Sequence, residues 1–125
     1  MKTIEICFLI GKRGKILWSD SGASAVSIPD SRARWEAIWE RRAGLTEIAH
    51  SHPVGPLGFS HEDETTMQAL GSALGKTLRF SVVAPDGMIR RENGADRLLK
   101  KEPAWTAKLR RLSGIPSRSK KKRKE

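Results

Sequence analysis

The segment Glu47-Ile48-Ala49-His50-Ser51-His52-Pro53-Val54-Gly55-Pro56-Leu57-Gly58-Phe59-Ser60-His61-Glu62-Asp63 combines an apolar strand, a Gly/Pro loop and the start of a helix. His50 and His52 stand two positions apart, so in a strand both side chains face one side, about 6–7 Å apart along the backbone. Pro53 ends the strand because it has no N–H to donate to a sheet ladder. Ser60 then begins a helical pattern, with Asp63 one turn inside it. Two imidazoles and a carboxylate that converge in this way form a three-ligand set, which zinc can occupy while keeping a fourth position for water.

The length of 125 residues indicates one domain with a core of ordinary size. Cys7 is the one cysteine, which excludes an intramolecular disulfide and fits a reducing compartment. The apolar start of the chain, Met1 to Gly11, is too short for a signal peptide and is interrupted by Glu5. No apolar run approaches the ~18 residues of a membrane span. We therefore expect a cytoplasmic protein.

The net charge of +10 is concentrated near the end of the chain. Residues 108–125 hold nine basic residues and one acidic residue, whereas the other 107 hold 15 basic and 13 acidic. We expect a nearly neutral domain over residues 1–114 and a disordered basic tail over residues 115–125. The tail is open to three interpretations: a solvated end, a non-specific contact with nucleic acid or another polyanion, or a contact with an anionic membrane.

Hydrophobic periodicity predicts alternating strands and helices. In the first part of the chain, the pattern predicts a buried strand at 3–10, a turn at 11–14, a returning strand at 15–18 and a short edge strand at 26–28. A helix capped by Asp30 or Ser31 and ended by Gly44 follows, and then the histidine-bearing strand at 45–52. The rest of the chain is predicted to form a helix ended by Gly75, strands at 78–84 and 88–90, and a short final helix after Pro103. Trp35 and Trp39, four residues apart, are expected to lie in the core. The fold class expected is mixed α/β or α+β, with helices packed on a central mixed sheet.

Each part of the ligand set also has a purely structural interpretation. A His-x-His pair in a strand is often no more than two satisfied polar groups. Ser60-x-x-Asp63 is also close to a capping box, in which the serine accepts from a backbone N–H and the aspartate reaches back. The two roles are compatible, because Ser60 can cap with one lone pair while its hydroxyl serves a site.

The combination of these parts resembles the JAMM metalloprotease motif of JAB/MPN domains, in the small prokaryotic form. That pattern is a glutamate, a long gap, His-[Ser/Thr]-His-Pro, a seven-residue loop counted from the proline, and Ser-x-x-Asp. His50, Ser51, His52, Ser60 and Asp63 match it position by position. The predicted order of early apolar strand, second strand, helix and histidine-bearing strand is also similar, and the likeness extends weakly through Val83. The resemblance implies a cytidine-deaminase-like JAB/MPN arrangement of the sheet and helices.

The resemblance implies a role for each matched residue. His50, His52 and Asp63 would bind zinc, whose fourth position holds a water with a pKa lowered to about 7. Ser60 would donate a hydrogen bond to the developing oxyanion, an interaction typically worth ~3–4 kcal/mol. A glutamate would take the proton of the water and pass it to the leaving amine.

Glu5, just before the apolar part of the first strand, is the best match to that glutamate. Glu36 and Glu40 on the following helix are the rivals, and Glu5 has the alternative of a solvent-facing edge carboxylate. Glu47 is excluded, because strand alternation turns it away from His50. His61 is expected at the surface, and Cys7 in the core.

The function that these residues imply is zinc-dependent hydrolysis of a peptide or isopeptide bond, at the C-terminus of a ubiquitin-like or sulfur-carrier protein. The alternative is a catalytically silent JAB-like module that binds a protein partner or, through its basic tail, nucleic acid. A zinc amidohydrolase acting on a small molecule would use the same residues.

Overall fold

A computed structural model describes residues 3–21 and 32–116 of the chain. Its six strands form one mixed sheet in the order β2-β1-β3-β4-β5-β6. The strands are β1 (Ile6–Ile10), β2 (Ile16–Ser21), β3 (Glu47–Ser51), β4 (Arg79–Ala84), β5 (Gly87–Glu92) and β6 (Ala95–Leu98). The helices are α1 (Arg32–Glu40), α2 (His61–Leu74) and α3 (Trp105–Ser113). The fold class is therefore α+β, a mixed sheet with helices, as the sequence predicts.

Strands β3 and β4 are the one parallel pair of this sheet, and the other neighbours are antiparallel. A parallel pair needs a crossover connection, which α2 supplies. The loop and helix that follow β3 therefore return over the sheet close to the end of β3. This topology brings the start of α2 next to the histidines.

The central strand β1 is buried on both faces of the sheet. Alternation along β1 sends Ile6, Phe8 and Ile10 into one core, and Cys7 and Leu9 into the other. The first core includes Trp105 and Leu109 of α3. The second includes Ala37 and Ile38 of α1 and Leu70 of α2. Helices α1 and α2 thus cover one face and α3 covers the other.

Most predicted elements are confirmed. For example, β1 and β2 form the expected hairpin, and Gly75 ends α2 with a left-handed φ of 63°. The core placement of Trp35 and Trp39 is wrong, because their side chains are 38% and 51% exposed. Only Ala37 and Ile38 of α1 are buried, so the apolar stripe of this helix is narrower than its sequence suggests. The guanidinium of Arg42 lies 3.8 Å from the centre of the Trp39 ring and covers it in part.

Two further differences concern the end of α1 and the strand β6. Helix α1 ends at Glu40, and Gly44 is not left-handed, so the predicted glycine cap is wrong. Strand β6 was not predicted: Asn93 and Gly94 both have positive φ and join β5 to it in a tight hairpin. The expected strand at 26–28 and the cap at Asp30 or Ser31 lie outside the described residues, as does most of the expected tail at 115–125. The tail's first residue, Ile115, is described and buried, and its N–H donates to the Arg110 carbonyl at 2.9 Å. None of the helices in the described ranges has the length and apolar character needed to cross a membrane.

Candidate metal centre

Strand β3 directs its side chains alternately to the two faces of the sheet. Glu47, Ala49 and Ser51 face α3, whereas Ile48 and His50 face α1 and α2. His52 follows the last residue of β3 and continues this alternation, and its N–H donates to the Val83 carbonyl at 2.8 Å. Both imidazoles therefore reach one cavity between the sheet and the two helices.

The start of α2 holds the third group of the set. Ser60 is the N-cap, and its side-chain oxygen accepts from the Asp63 N–H at 3.0 Å. The Asp63 carboxylate accepts in return from the Ser60 N–H at 2.8 Å, which completes a capping box. The structural interpretation of Ser-x-x-Asp is thus confirmed, and the cap fixes the Asp63 carboxylate on the side of the helix that faces the histidines.

Three ligand-type atoms converge in this cavity. The Nε2 atoms of His50 and His52 are 3.1 Å apart. Asp63 Oδ1 lies 3.2 Å from His50 Nε2, and the other carboxylate oxygen, Oδ2, lies 3.6 Å from His52 Nε2. A tetrahedral zinc ion with ligand bonds of about 2.0–2.2 Å separates its ligand atoms by about 3.3–3.6 Å. One ligand atom can be taken from each of His50, His52 and Asp63 so that the three atoms lie within 4.8 Å of one another, so this set could hold a metal ion, and its donor types are among those that zinc takes.

A contact outside this set orients the His52 ring. Its Nδ1 atom lies 2.9 Å from the Pro56 carbonyl oxygen, so Nδ1 carries the hydrogen and donates. Nε2 is then left with the lone pair that a metal ligand needs. Burial lowers the pKa of His52, and the charge of His50 lowers it further, against the opposing effects of Pro56 and Asp63. His52 is therefore held in the neutral form in which imidazole binds metals.

Asp63 is held in its ionised form. Burial alone would raise the pKa of Asp63, but the hydrogen bond and charge of His50, the Ser60 N–H and the charge of His52 outweigh burial and lower the pKa to about 2. The carboxylate is thus ionised at neutral pH and available as an anionic ligand.

Glu5 lines the same cavity and is 5% exposed. Cys7 pairs with His50 across β1 and β3, and Glu5 precedes Cys7 by two positions, so alternation sends Glu5 to the same face as the histidines. Burial raises the pKa of Glu5 to about 7, with His50 opposing the rise and Asp63 adding to it. A carboxyl group with this pKa exchanges its proton near neutral pH.

The rival glutamates lie elsewhere. Glu36 is exposed and pairs with Arg32 on the surface of α1, at 3.0 Å. Glu40 is also exposed, and neither residue lines the cavity. Glu47 is buried on the α3 side of the sheet, where it binds Arg90, Arg79 and Ser81. Of the four glutamates considered from the sequence, Glu5 alone shares a cavity with the histidines.

The cavity has a volume of about 610 Å³ and opens to solvent beside Ser60. Because the Ser60 oxygen accepts from Asp63, its own hydrogen remains available for donation into the cavity. His61 is exposed, as expected, at the rim. Cys7 lines the cavity from β1 and is buried, as expected. Burial raises the pKa of its thiol to about 12, so the thiol stays protonated and unreactive.

Ser51 has a role that the sequence did not indicate. Its hydroxyl oxygen is fully buried and accepts both the Ile6 N–H at 2.9 Å and the Ser113 hydroxyl at 2.7 Å. These bonds tie the start of β1 to β3 and to the end of α3. Because Glu5 directly precedes Ile6, Ser51 fixes the backbone beside Glu5 from the opposite face of the sheet.

Arg91 is a second residue that the sequence did not reveal. From β5 it binds Glu64 in the first turn of α2 and Asp96 on β6, and its guanidinium lies 4.7 Å from the centre of the Phe59 ring. Phe59 precedes Ser60, and Glu64 follows Asp63. Arg91 therefore contacts the residues on either side of the capping box, Phe59 and Glu64, and attaches the start of α2 to the sheet. Strand alternation on β5 gives the face of Arg91 but not its partners, which depend on the packing of α2.

No protein-family model matches this chain, and no curated protein matches its sequence.

Proposed function

We propose that this protein is a zinc-dependent amide hydrolase of the JAMM type, with the JAB/MPN arrangement of sheet and helices. The observation that carries the proposal is the convergence of His50, His52 and Asp63, whose ligand atoms lie within 4.8 Å of one another, in a cavity that also holds Glu5. The order of β1, β2, α1, β3 and α2 agrees with the order of elements that the motif resemblance implies.

Zinc, when bound, would polarise the scissile carbonyl and activate a water for attack. Glu5 would accept the proton of that water and deliver it to the leaving amine. Its pKa of about 7 suits both transfers, because a group that titrates near the working pH is an effective base and an effective acid. The Ser60 hydroxyl would donate to the carbonyl oxygen as negative charge develops there, a contribution of about 3 kcal/mol.

The substrate proposed is an amide bond at the C-terminus of a ubiquitin-like or sulfur-carrier protein. The cavity volume of about 610 Å³ suits a short length of extended chain. Part of its lining is apolar, with Ile38, Ile48 and Phe80 beside the polar site. The loop from Pro53 to Phe59 is short, so recognition of a large partner would rest on its C-terminal tail.

Metal content tests the first half of the proposal. We expect the gently purified protein to contain about one zinc per chain, and His52→Ala and Asp63→Ala to lose it. His61→Ala, which removes an exposed histidine of the same segment, serves as the matched control and should retain zinc. A wild-type protein that neither contains zinc nor takes it up on addition would refute the proposal.

Cleavage of ubiquitin-like C-terminal fusions tests the second half. We expect Glu5→Gln to keep zinc and to lose activity by about 10²–10⁴-fold, the usual contribution of a general base. Glu36→Gln removes an exposed carboxylate of a rival residue and should leave activity unchanged. If zinc binds but no glutamate variant alters any hydrolysis, the catalytically silent binding module is the correct alternative.

A further inference from the structure

Helix α1 turns an arginine inward and leaves its tryptophans outside. The side chain of Arg34 is only 16% exposed, although Trp35 and Trp39 of the same helix are exposed. Arg34 and Ile38 are four residues apart and therefore share one face of the helix, and both line the cavity of the candidate metal centre. This reverses the usual distribution, in which tryptophan is the more buried residue type. The inward position of this arginine therefore needs a reason.

Arg34 brings a permanent positive charge to the cavity. It is the single lysine or arginine among the described residues that line it. Burial raises the pKa of Glu5 and of Cys7, and Arg34 is among the charges that oppose the rise in both. The guanidinium therefore lies close enough to Glu5, the proposed general base, for the two charges to interact.

An ion pair with Asp20, near the end of β2, anchors the guanidinium. Arg34 Nε donates to Asp20 Oδ2 at 3.2 Å. Taking an arginine out of water costs free energy that a single ion pair recovers only in part. The same kind of pair forms at the surface of α1 without that cost, between Arg32 and Glu36 at 3.0 Å. The burial of Arg34 thus favours a role for its charge inside the cavity.

The nearness of Arg34 to Glu5 indicates which part of a substrate would meet the guanidinium. Amide hydrolysis adds a water across the C–N bond: the acyl carbon takes the hydroxyl, and the nitrogen takes the remaining proton and leaves as the amine. In the proposed function Glu5 delivers that proton, so the leaving amine lies next to Glu5 and within reach of the Arg34 charge. A guanidinium offers several N–H donors in a planar fork, and it binds a carboxylate more strongly than a neutral group.

We propose that Arg34 binds the α-carboxylate of the leaving group, so that the preferred substrate is an amide whose released amine is a C-terminal amino acid. This inference rests on the proposed function, because it names the leaving group of that reaction. In an α-amino acid one carbon carries both the amine and the carboxylate, so both groups fit within the one cavity. The lysine side chain released from an isopeptide bond carries no carboxylate beside its nitrogen and would not gain this contact.

The experiment compares two peptides that differ only at the last group. Each is the C-terminal tail of a ubiquitin-like protein extended by one alanine, which ends in a carboxylate in the first peptide and in a carboxamide in the second. We expect the zinc-loaded full chain to hydrolyse the carboxylate peptide with a kcat/KM about 10–100-fold higher, the usual effect of a hydrogen-bonded charge pair. Arg34→Gln should reduce this preference to about twofold or less, and Arg34→Lys should keep part of it.

Binding provides a measurement that does not depend on turnover. The Glu5→Gln protein should bind the carboxylate peptide more tightly than the carboxamide peptide, by about 10–100-fold in Kd. Glu5→Gln/Arg34→Gln should bind the two peptides equally. Isothermal titration measures both differences.

Arg32→Gln is the matched control, because it removes an exposed arginine from the same helix and should retain the full preference. A purely structural role for Arg34 would lower hydrolysis of both peptides by the same factor and leave their ratio unchanged. That result would overturn the inference, as would equal hydrolysis of the two peptides by the wild type, and in both cases amide hydrolysis itself stands. If the zinc-loaded protein hydrolyses neither peptide, the proposed function fails, and equal binding of the two peptides would then overturn the inference separately.

Discussion

Arg91 holds the carboxylate of Glu64 through two hydrogen bonds, Nη1 to Oε1 at 2.5 Å and Nη2 to Oε2 at 3.0 Å. The pair joins the fifth strand of the sheet to the first turn of α2, and Phe59 packs on the same guanidinium. The capping box that carries Asp63 lies between these two attachments. The position of Asp63, one of the three candidate ligands, therefore depends on a strand that contributes no candidate ligand itself.

We predict that Arg91→Gln lowers the zinc affinity of the protein about tenfold, because groups that orient a ligand contribute on this scale. The free energy of unfolding should fall by no more than about 1 kcal/mol, since the contacts of Arg91 are partly exposed. Chelator competition and urea unfolding measure the two quantities. Arg97→Gln, which removes an exposed arginine of β6, should change neither. Equal zinc affinity in Arg91→Gln and wild type would contradict the prediction.

Asp63 has two roles that one substitution can separate. Asp63→Asn keeps an oxygen that can accept the Ser60 N–H, so the helix cap should survive with a loss of a few tenths of a kcal/mol. Zinc binding should nevertheless be lost, because the anionic ligand is gone. Asp63→Ala should lose zinc and also about 1 kcal/mol of stability. Isothermal titration with zinc and thermal unfolding in a chelator measure these effects, and undiminished zinc affinity in Asp63→Asn would remove Asp63 from the ligand set.

The pKa of Glu5 predicts a pH-dependent stability of the metal-free protein. The folded state keeps the proton up to about pH 7, whereas the unfolded chain releases it near the ordinary pKa of 4.5. The folded state therefore binds more protons in this window, and stability falls as pH rises from about 4.5 to about 7. Glu5→Gln should lack this component, so its advantage over wild type should grow across the window. Urea unfolding in the presence of a chelator measures the difference, and a constant difference between the two proteins would contradict the raised pKa.

Ser51→Ala should destabilise the protein by about 1–3 kcal/mol, because it leaves the Ile6 N–H and the Ser113 hydroxyl buried without their partner. Ser113→Ala should cost less, since Ser51 keeps its bond to Ile6. The double variant should cost less than the sum of the two single variants, because the residues share one network. Urea unfolding of all four proteins tests this. Strict additivity would mean that the two hydroxyls are not coupled.

The convergence of the candidate ligands was predictable because it depends on short-range geometry. A strand places residues i and i+2 on one face, and a helix N-cap places its third residue near the cap. Both rules act within the segment from His50 to Asp63, and both hold in the structure. The same alternation correctly excludes Glu47.

The surroundings of the ligand set were not predictable in the same way. Trp35 and Trp39 have helical spacing, yet the sheet leaves room for only Ala37 and Ile38 of α1 to be buried. Glu5 joins the cavity because β1 pairs with β3 in one register, and a shift of one residue would send it to the opposite face.

The sequence by itself determined the local elements, the type of ligand atoms and the side of the chain from which they project, because these follow from backbone periodicity and residue chemistry. Only the tertiary structure decided that Glu5 shares their cavity and that burial brings its pKa to about 7. It also decided that Arg91 on β5 binds the first turn of α2, and that Ser51 bonds the backbone beside Glu5 from the opposite face of the sheet. These features arise from strand order, register and burial. Those depend on contacts between residues far apart in the chain, and no local pattern contains them.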